Sequence, residues 1–336
     1  MDAKIAYFRS LTFALSTQKS YSSYYKSYVK FCTKLGYPLA PISTPRLCRY
    51  IAELSARLSP NSIPKYLTIV RLIHLEMGLP NPLDTNWQVQ SLMRGIKREK
   101  GSFVTKKLPI TPDILYQISL RLNFQLQLHT VFWAVCLTLF FSFMRKGNVL
   151  VPASNFNPDV HLRRCDFTMS TTGISILVRH SKTIQFRERI LLIPLSPIPK
   201  HPLCPISALL KSFLATPGAD PSGPPFVLGA QGKYIPLSPQ RFQLILREHL
   251  DALGYDPQNF SGHSFRRGAA SWALQVGIPS EVIQILGDWR SDAYKEYIDI
   301  SQSSKLRYIS IFSNSIGNKK KKKKHLLMGI LGNLAR

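Results

Sequence analysis

The chain has 336 residues, with 44 Lys and Arg against 18 Asp and Glu, a formal net charge of +26. At roughly 150 residues per domain the length predicts about two domains, and the 45% apolar share suffices for ordinary cores. The charge excludes a disordered acidic scaffold, argues against a neutral metabolic enzyme, and points to a polyanionic partner, either nucleic acid or an anionic membrane surface.

Residues 1–100 carry fifteen basic and five acidic side chains and read as helical throughout. The opening MDAKIAYFRS has no long apolar run and does not read as a secretory signal. Tyr21, Tyr24, Tyr25, Tyr28, Cys32 and Leu35 recur at helical spacing until Gly36 and Pro38 stop the run. Lys26, Lys30 and Lys34 fall on another face of that helix. A solvated lysine face and a phosphate-facing stripe are both open readings of them. Thr44-Pro45 is expected to be a cap followed by proline at the first helical position. Leu47, Ile51, Leu54 and Leu58 form the stripe behind it. A third helix is expected from Ser62 to Gly78. A fourth covers Trp87 to Lys100 and ends in the basic cluster Arg94, Lys97, Arg98 and Lys100. Breakers around Lys100-Gly101-Ser102 and Lys107-Leu108-Pro109 mark a linker, so a small basic helical domain is expected over 1–102.

The next segment opens at Thr111-Pro112 with another capped helix start, followed by an apolar helix ending at Met144. Its uncharged run, Val131 to Met144, is 14 residues long. A bilayer crossing needs about 20, so this is a buried core helix and no membrane partner is expected. The period then changes. Ile174, Ile176 and Val178 alternate with polar neighbours, as do Ile190 and Leu192 beyond the stretch from Ser181 to Glu188, which is a hairpin signature. After Pro205 the helical pattern returns at Ile206–Phe213, Pro239–Leu253, Ser264–Val276 and Pro279–Leu286, and the Pro- and Gly-rich 214–236 reads as a loop. The five cysteines are scattered and form no CxxC, which suggests neither a disulfide framework nor a zinc site and fits a reducing compartment. Residues 313–336 form a basic tail expected to be disordered, with six consecutive lysines from Lys319 to Lys324. Nuclear import, contact with DNA and no role at all remain open for it.

The most informative stretch is Gly262-His263-Ser264-Phe265-Arg266-Arg267-Gly268. His263 and Arg266, three apart at a helix start, share a face. A helix N-terminus favours an anion, and an imidazole with a guanidinium sharpens that into a phosphate site. Upstream, Phe143-Met144-Arg145-Lys146-Gly147-Asn148 puts an arginine after the core helix; downstream, Gly287-Asp288-Trp289 precedes Tyr294 and Tyr297. This ordered set resembles the tyrosine recombinases, the phage-integrase-type DNA recombinases, over nearly the whole chain. The segments HSKTIQF and GDWRSDAYKEYI are more similar to those of eukaryotic mobile elements, the DIRS-like and Crypton groups, than to bacterial chromosome-dimer resolvases.

The resemblance implies a mainly α fold: a core-binding (SAM-like) helical domain over 1–102, and over 108–312 a catalytic domain of mixed α structure with a small antiparallel sheet. It assigns the family's arginine, hairpin lysine, HxxR, His-or-Trp and nucleophile to Arg145, Lys182, His263 with Arg266, Trp289 and Tyr297. Tyr297 follows Trp289 by eight residues where the family usually has nine; Tyr294 follows by only five and is the alternative nucleophile. Asn148 stands where the family usually has an acidic residue. Arg267 is left out of the set, and grazing contact with DNA is an open reading for any of Arg179, Arg187 and Arg189 beside Lys182.

The implied activity is cleavage and rejoining of DNA strands, integrating or excising a mobile element through a 3′-phosphotyrosyl link. The implied partner is double-stranded DNA, contacted by Lys26, Lys30, Lys34, Arg94, Lys97 and Arg98, with four protomers on two duplexes. No cofactor or metal is called for, and a eukaryotic member would be nuclear. The competing reading is a domesticated, non-catalytic DNA-binding protein. Loss of the tyrosine or of an arginine would signal that, and neither is lost.

Overall fold

The first of two units, Met1–Thr105, is helical in the computed structural model. The structure describes residues 1–103, 106–151, 154, 156–298, 305–306, 309–310 and 313, so the Lys319–Lys324 run lies outside the described residues. Helix α1 spans Asp2–Ser10 and α2 spans Leu15–Leu35. Gly36 ends α2 in the left-handed conformation (φ 65°), and Tyr37 N–H returns to Cys32 O at 2.9 Å. The tyrosine-rich face splits: Tyr28, Phe31 and Cys32 are buried, whereas Tyr25 and Leu35 are exposed.

Helix α3 runs Thr44–Arg57, so Ser43, without a capping side-chain bond, and not Thr44, is its N-cap. Leu47, Tyr50, Ile51 and Leu54 on its inner face are fully buried, and truncating any such side chain costs about 2–5 kcal/mol. Helices α4 (Ile63–Glu76) and α5 (Trp87–Lys100) complete the set. Asn86 caps α5, its side chain accepting from Val89 N–H at 3.2 Å. His74 is a structural histidine: Nε2 accepts from Ile42 N–H at 3.0 Å, which leaves Nδ1 to donate to Val70 O at 2.8 Å.

The second unit, Lys106–Arg336, is built around α7 (Gln127–Phe141), buried along almost its whole length. Helix α6 (Pro112–Arg121) precedes it, with Thr111 as a true cap, Oγ1 accepting from Ile114 N–H at 3.2 Å. Helix α9 (Pro205–Leu214) packs on α7, and so does α11 (Gly262–Gln275), entered from α10 (Pro239–Asp251). Helix α12 (Ser280–Leu286) follows. The uncharged run does not stay helical to Met144. Ser142 caps α7 by donating to Thr138 O, and Phe143 then turns left-handed (φ 54°), which delivers the chain into the short α8 (Lys146–Val149).

Strands β1 (Phe167–Ser170), β2 (Gly173–Val178) and β3 (Leu191–Leu195) form an antiparallel sheet in that order. Burial of Ile174, Ile176 and Val178 follows the alternation, but the return strand is shifted by one residue from expectation. Ile193 pairs with Ile176 and Leu195 with Ile174; both are buried, while Ile190 and Leu192 are exposed. A one-residue slip exchanges the two faces of a strand, and the long connection gave no local cue to the register. Nor is 214–236 only a loop: β4 (Val227–Ala230) and β5 (Lys233–Pro236) form a hairpin across Gln231-Gly232, both at positive φ as a tight primed turn requires.

Gly268 is fixed by close approach: an added Cβ would lie 1.7 Å from Ile110 O, whose backbone crosses α11 there with Ile110 N–H on Ser264 O at 2.9 Å. Among the described residues, no helix is long and apolar enough to cross a membrane, and no cluster of three or more His, Cys, Asp or Glu has metal-binding geometry.

Candidate active site

Arg266 is the centre of the site. It lies one turn into α11, 2% exposed, and two irregular segments deliver carbonyls to it. Nη1 donates to Phe143 O and Nη2 to Gly287 O, the latter at 2.6 Å. Phe143 (φ 54°) and Asp288 (φ 52°) are both non-glycine residues in the left-handed region, one at each carbonyl contact. The third side of the guanidinium is aromatic. Its carbon stands 3.8 Å from the Trp289 ring centroid and 5.4 Å from that of Tyr297. Gly287 makes the stack possible, because a Cβ there would fall 1.5 Å from the Trp289 ring. Burial and the neighbouring Arg145 pull the Arg266 pKa down to about 9, partly offset by Tyr297 and Asp288.

His263, one helical turn earlier, has its ring centroid 6.2 Å from Tyr297. Ser261 caps this helix start: its Oγ accepts from His263 N–H at 3.2 Å, and Ser264 Oγ accepts from Ser261 N–H at 2.9 Å. The His263 pKa is lowered by partial desolvation and then by Arg145, Arg266, Lys146 and Lys182. Their charges act on the imidazole at the start of α11. Arg145 is half-buried at the N-cap of α8 and lines a cleft with Asn148, Ser181, Arg266 and Asp288. Lys182 is exposed at the tip of a tight turn closed by reciprocal Ser181–Ile184 backbone bonds of 3.1 Å.

The two candidate tyrosines differ in surroundings. Tyr294 is 5% exposed, 6.3 Å from the Trp289 ring. Tyr297 is half-buried, 5.4 Å from Trp289, and alone of the two touches both His263 and Arg266. Among the described buried atoms, Arg266 Nε and Trp289 Nε1 are donors without an acceptor.

Two further residues of the site, Lys146 and Asp288, stand next to Arg145 and Trp289 in the chain and carry no signal of their own in the sequence. Lys146 is half-buried, its stem against Gly262, where an added Cβ would meet Lys146 Cβ at 2.6 Å. Desolvation and Arg247 lower its pKa. Asp288 brings a carboxylate to the cleft beside Arg145 and Arg266. Two of the arginines beside Lys182, Arg179 and Arg189, are paired with carboxylates. Arg179 makes a bidentate pair with the buried Asp166 at 2.5 and 2.7 Å, and Arg189 pairs with Asp288. Arg267 is itself buried. In the first unit Lys26, Lys30, Lys34, Arg94, Lys97 and Arg98 are all exposed, with Lys34 3.7 Å from Glu53 and Arg94 stacked 4.5 Å from the Trp87 ring.

The chain is 26% identical over 275 residues to an integrase/recombinase xerD homolog of Selenomonas ruminantium, spanning 80% of this chain and 76% of that one. The Tn1549 transposon integrase, solved in complex with transposon right-end DNA, superposes with a TM-score of 0.63 at 13% identity, over 93% of this chain and 98% of that chain. In sequence and in fold the chain is similar to site-specific DNA recombinases and integrases. A second structure of the same fold is the XerH site-specific recombinase bound to palindromic difH substrate in a post-cleavage complex, with a TM-score of 0.60 at 12% identity over 88% and 79% of the two chains. No family model matches the chain. Arg266, Trp289, Tyr297 and His263, distant in the ordered motif, are neighbours in the structure.

Proposed function

We propose that this protein is a site-specific DNA recombinase that cleaves and rejoins duplex DNA through a 3′-phosphotyrosyl intermediate at Tyr297. The observation that carries the reading is the convergence of Tyr297 and Trp289 on the buried guanidinium of Arg266, with His263 beside the Tyr297 ring and two buried donors there awaiting an acceptor. A phosphodiester supplies that acceptor. Its non-bridging oxygens gain negative charge in the pentacoordinate transition state, and Arg145, Arg266 and the Trp289 indole N–H are donors suited to them. Indole nitrogen cannot act as a base.

In the step itself the Tyr297 phenol oxygen bonds to phosphorus and the bond to O5′ breaks. The leaving oxygen takes a proton from the Lys182 ammonium and departs as a 5′-hydroxyl. The phenolic proton passes to His263 or to solvent. The ester is retained on tyrosine, so rejoining is the same step reversed and needs no nucleotide. The exposed cations of the first unit serve the DNA backbone, as the net charge suits. Four protomers on two duplexes is the assembly such strand exchange uses, and a mobile element is the substrate. The HSKTIQF and GDWRSDAYKEYI segments favour an element of eukaryotic type, with the protein acting in a nucleus.

The test is covalent capture. Duplexes spanning the ends of the element that carries this gene, nicked so that cleavage releases a short fragment, are incubated with the protein in EDTA and run on a denaturing gel. A labelled protein–DNA adduct is expected. Salt-sensitive duplex binding without any adduct would instead establish the non-catalytic binder.

A further inference from the structure

The lysine turn has little backbone holding it. Between Val178 and Leu191, the last paired residues of β2 and β3, residues 179–190 leave the ladder and make only the Ser181–Ile184 bridge. Ile184 is buried and gives the turn one apolar anchor. Arg179, at the start of the segment, pairs with Asp166, and the polar anchors from Thr183 onward lead to one corner. Thr183 Oγ1 donates to Asp288 Oδ2, and Arg189 Nη2 donates to Asp288 Oδ1. One residue beyond Trp289, Arg290 pairs with Glu188, whose other oxygen accepts from Phe186 N–H at 2.9 Å. Both ends of the 182–190 segment are therefore clasped to the 288–290 corner, and two oppositely oriented charge pairs make the clasp. The Asp288 side chain is 16% exposed. It sits between Gly287, whose carbonyl takes Arg266, and Trp289, which stacks on Arg266.

We infer that Asp288 is a positioning residue for Lys182: its carboxylate docks the lysine turn onto the Trp289 corner, so that the proton donor is in place only when the segment leading to Tyr297 is. The inference rests on the recombinase reading. One carboxylate bridges the two loops. Thr183 directly follows Lys182, so the Thr183–Asp288 bond fixes the backbone from which the ammonium reaches O5′. The outer Arg290–Glu188 pair closes the far end of the same loop. Asp288 does not touch the phosphate; as an anion it would repel it. It acts through Lys182.

The experiment uses the duplex on which the wild-type chain forms its adduct, made in two forms, one ordinary and one with sulfur replacing the bridging O5′ at the scissile phosphate. A thiol has a pKa of roughly 8.5, so a sulfur leaving group departs as thiolate and needs no donated proton. Asp288→Asn keeps the shape, tolerates the left-handed backbone, and removes the charge. On the ordinary duplex, Asp288→Asn and Lys182→Ala are expected to slow adduct formation by about tenfold or more each, and the double variant to be little slower than Lys182→Ala alone. On the sulfur duplex all three are expected to return to near the wild-type rate. Exchanging the outer pair, Glu188→Arg with Arg290→Glu, is expected to restore what Glu188→Arg alone loses on the ordinary duplex. An Asp288→Asn defect that is equal on both duplexes overturns the inference, as does an ordinary-duplex rate equal to wild type. Failure of the wild-type chain to form an adduct on any duplex spanning the element's ends overturns the recombinase reading and this inference with it.

Discussion

The guanidinium of Arg266 lies against the Trp289 ring, its central carbon 3.8 Å from the ring centroid. One face of a buried cation is thus covered by indole while two of its nitrogens hold Phe143 O and Gly287 O. Arg266→Ala should therefore do two kinds of damage. It leaves two carbonyls and a ring face without their partner, costing about 3 kcal/mol of stability. It also removes a donor from the transition state, costing a further factor of about 10²–10³ in adduct formation. Denaturant melts and single-turnover adduct assays separate the two. A variant that loses stability but keeps the wild-type cleavage rate would show Arg266 to be purely structural.

Tyr297→Phe removes only the phenol oxygen from a half-buried ring packed near Trp289 and His263. Duplex binding and thermal stability should stay near wild type while the covalent adduct disappears. Tyr294→Phe, in the buried position, should leave the adduct largely intact. The reverse pattern on a denaturing gel would move the nucleophile to Tyr294.

The His263 pKa is held below its ordinary value by desolvation and by Arg145, Arg266, Lys146 and Lys182. A depressed pKa means the unfolded chain binds the proton more tightly than the native one. His263 therefore carries no stability penalty above about pH 6.5, and a penalty grows as pH falls from there through its lower folded value. His263→Gln should flatten the acid limb of the stability profile. Paired melts of wild type and variant from neutral pH downward measure the difference, and parallel curves would refute it.

The β2–β3 register has a direct readout. Ile193, buried and paired with Ile176, should cost about 2–4 kcal/mol on truncation to alanine. Leu192, exposed beside it, should cost within about 0.5 kcal/mol. Chemical denaturation of the two variants decides between this register and the one-residue slip.

Affinity for duplex DNA should fall steeply with salt, and each lysine that meets a phosphate should contribute about 0.9 to the slope of log K against log salt. Lys30→Ala is expected to lower that slope. Lys34→Ala is expected to lower it less, because Glu53 stands 3.7 Å from the Lys34 ammonium. Fluorescence anisotropy titrations over a salt series test the pair; equal slopes for both variants and wild type would remove α2 from the DNA-binding surface.

Local chemistry was enough for much of this molecule. The helices from Trp87 to Lys100 and from Pro205 to Leu214 begin and end at caps, prolines and basic last turns that act within a few residues of where they stand. The lopsided charge and the chain order of Arg145, Lys182, His263, Arg266, Trp289 and Tyr297 are likewise properties of the sequence alone. Tertiary structure decided what depends on partners far along the chain. It stopped α7 at Phe141, because Phe143 turns back and its carbonyl meets Arg266. It set β3 one residue off the expected alternation, because burial against the core and not the connecting loop fixes the face. It paired Arg179 with Asp166 and Arg189 with Asp288, where residue type alone suggested free cations. It also gave Asp288 its place between the lysine turn and the tryptophan corner. Such contacts are absent from any window of sequence, because their free energy arises only when packing brings distant segments within a few ångströms of each other.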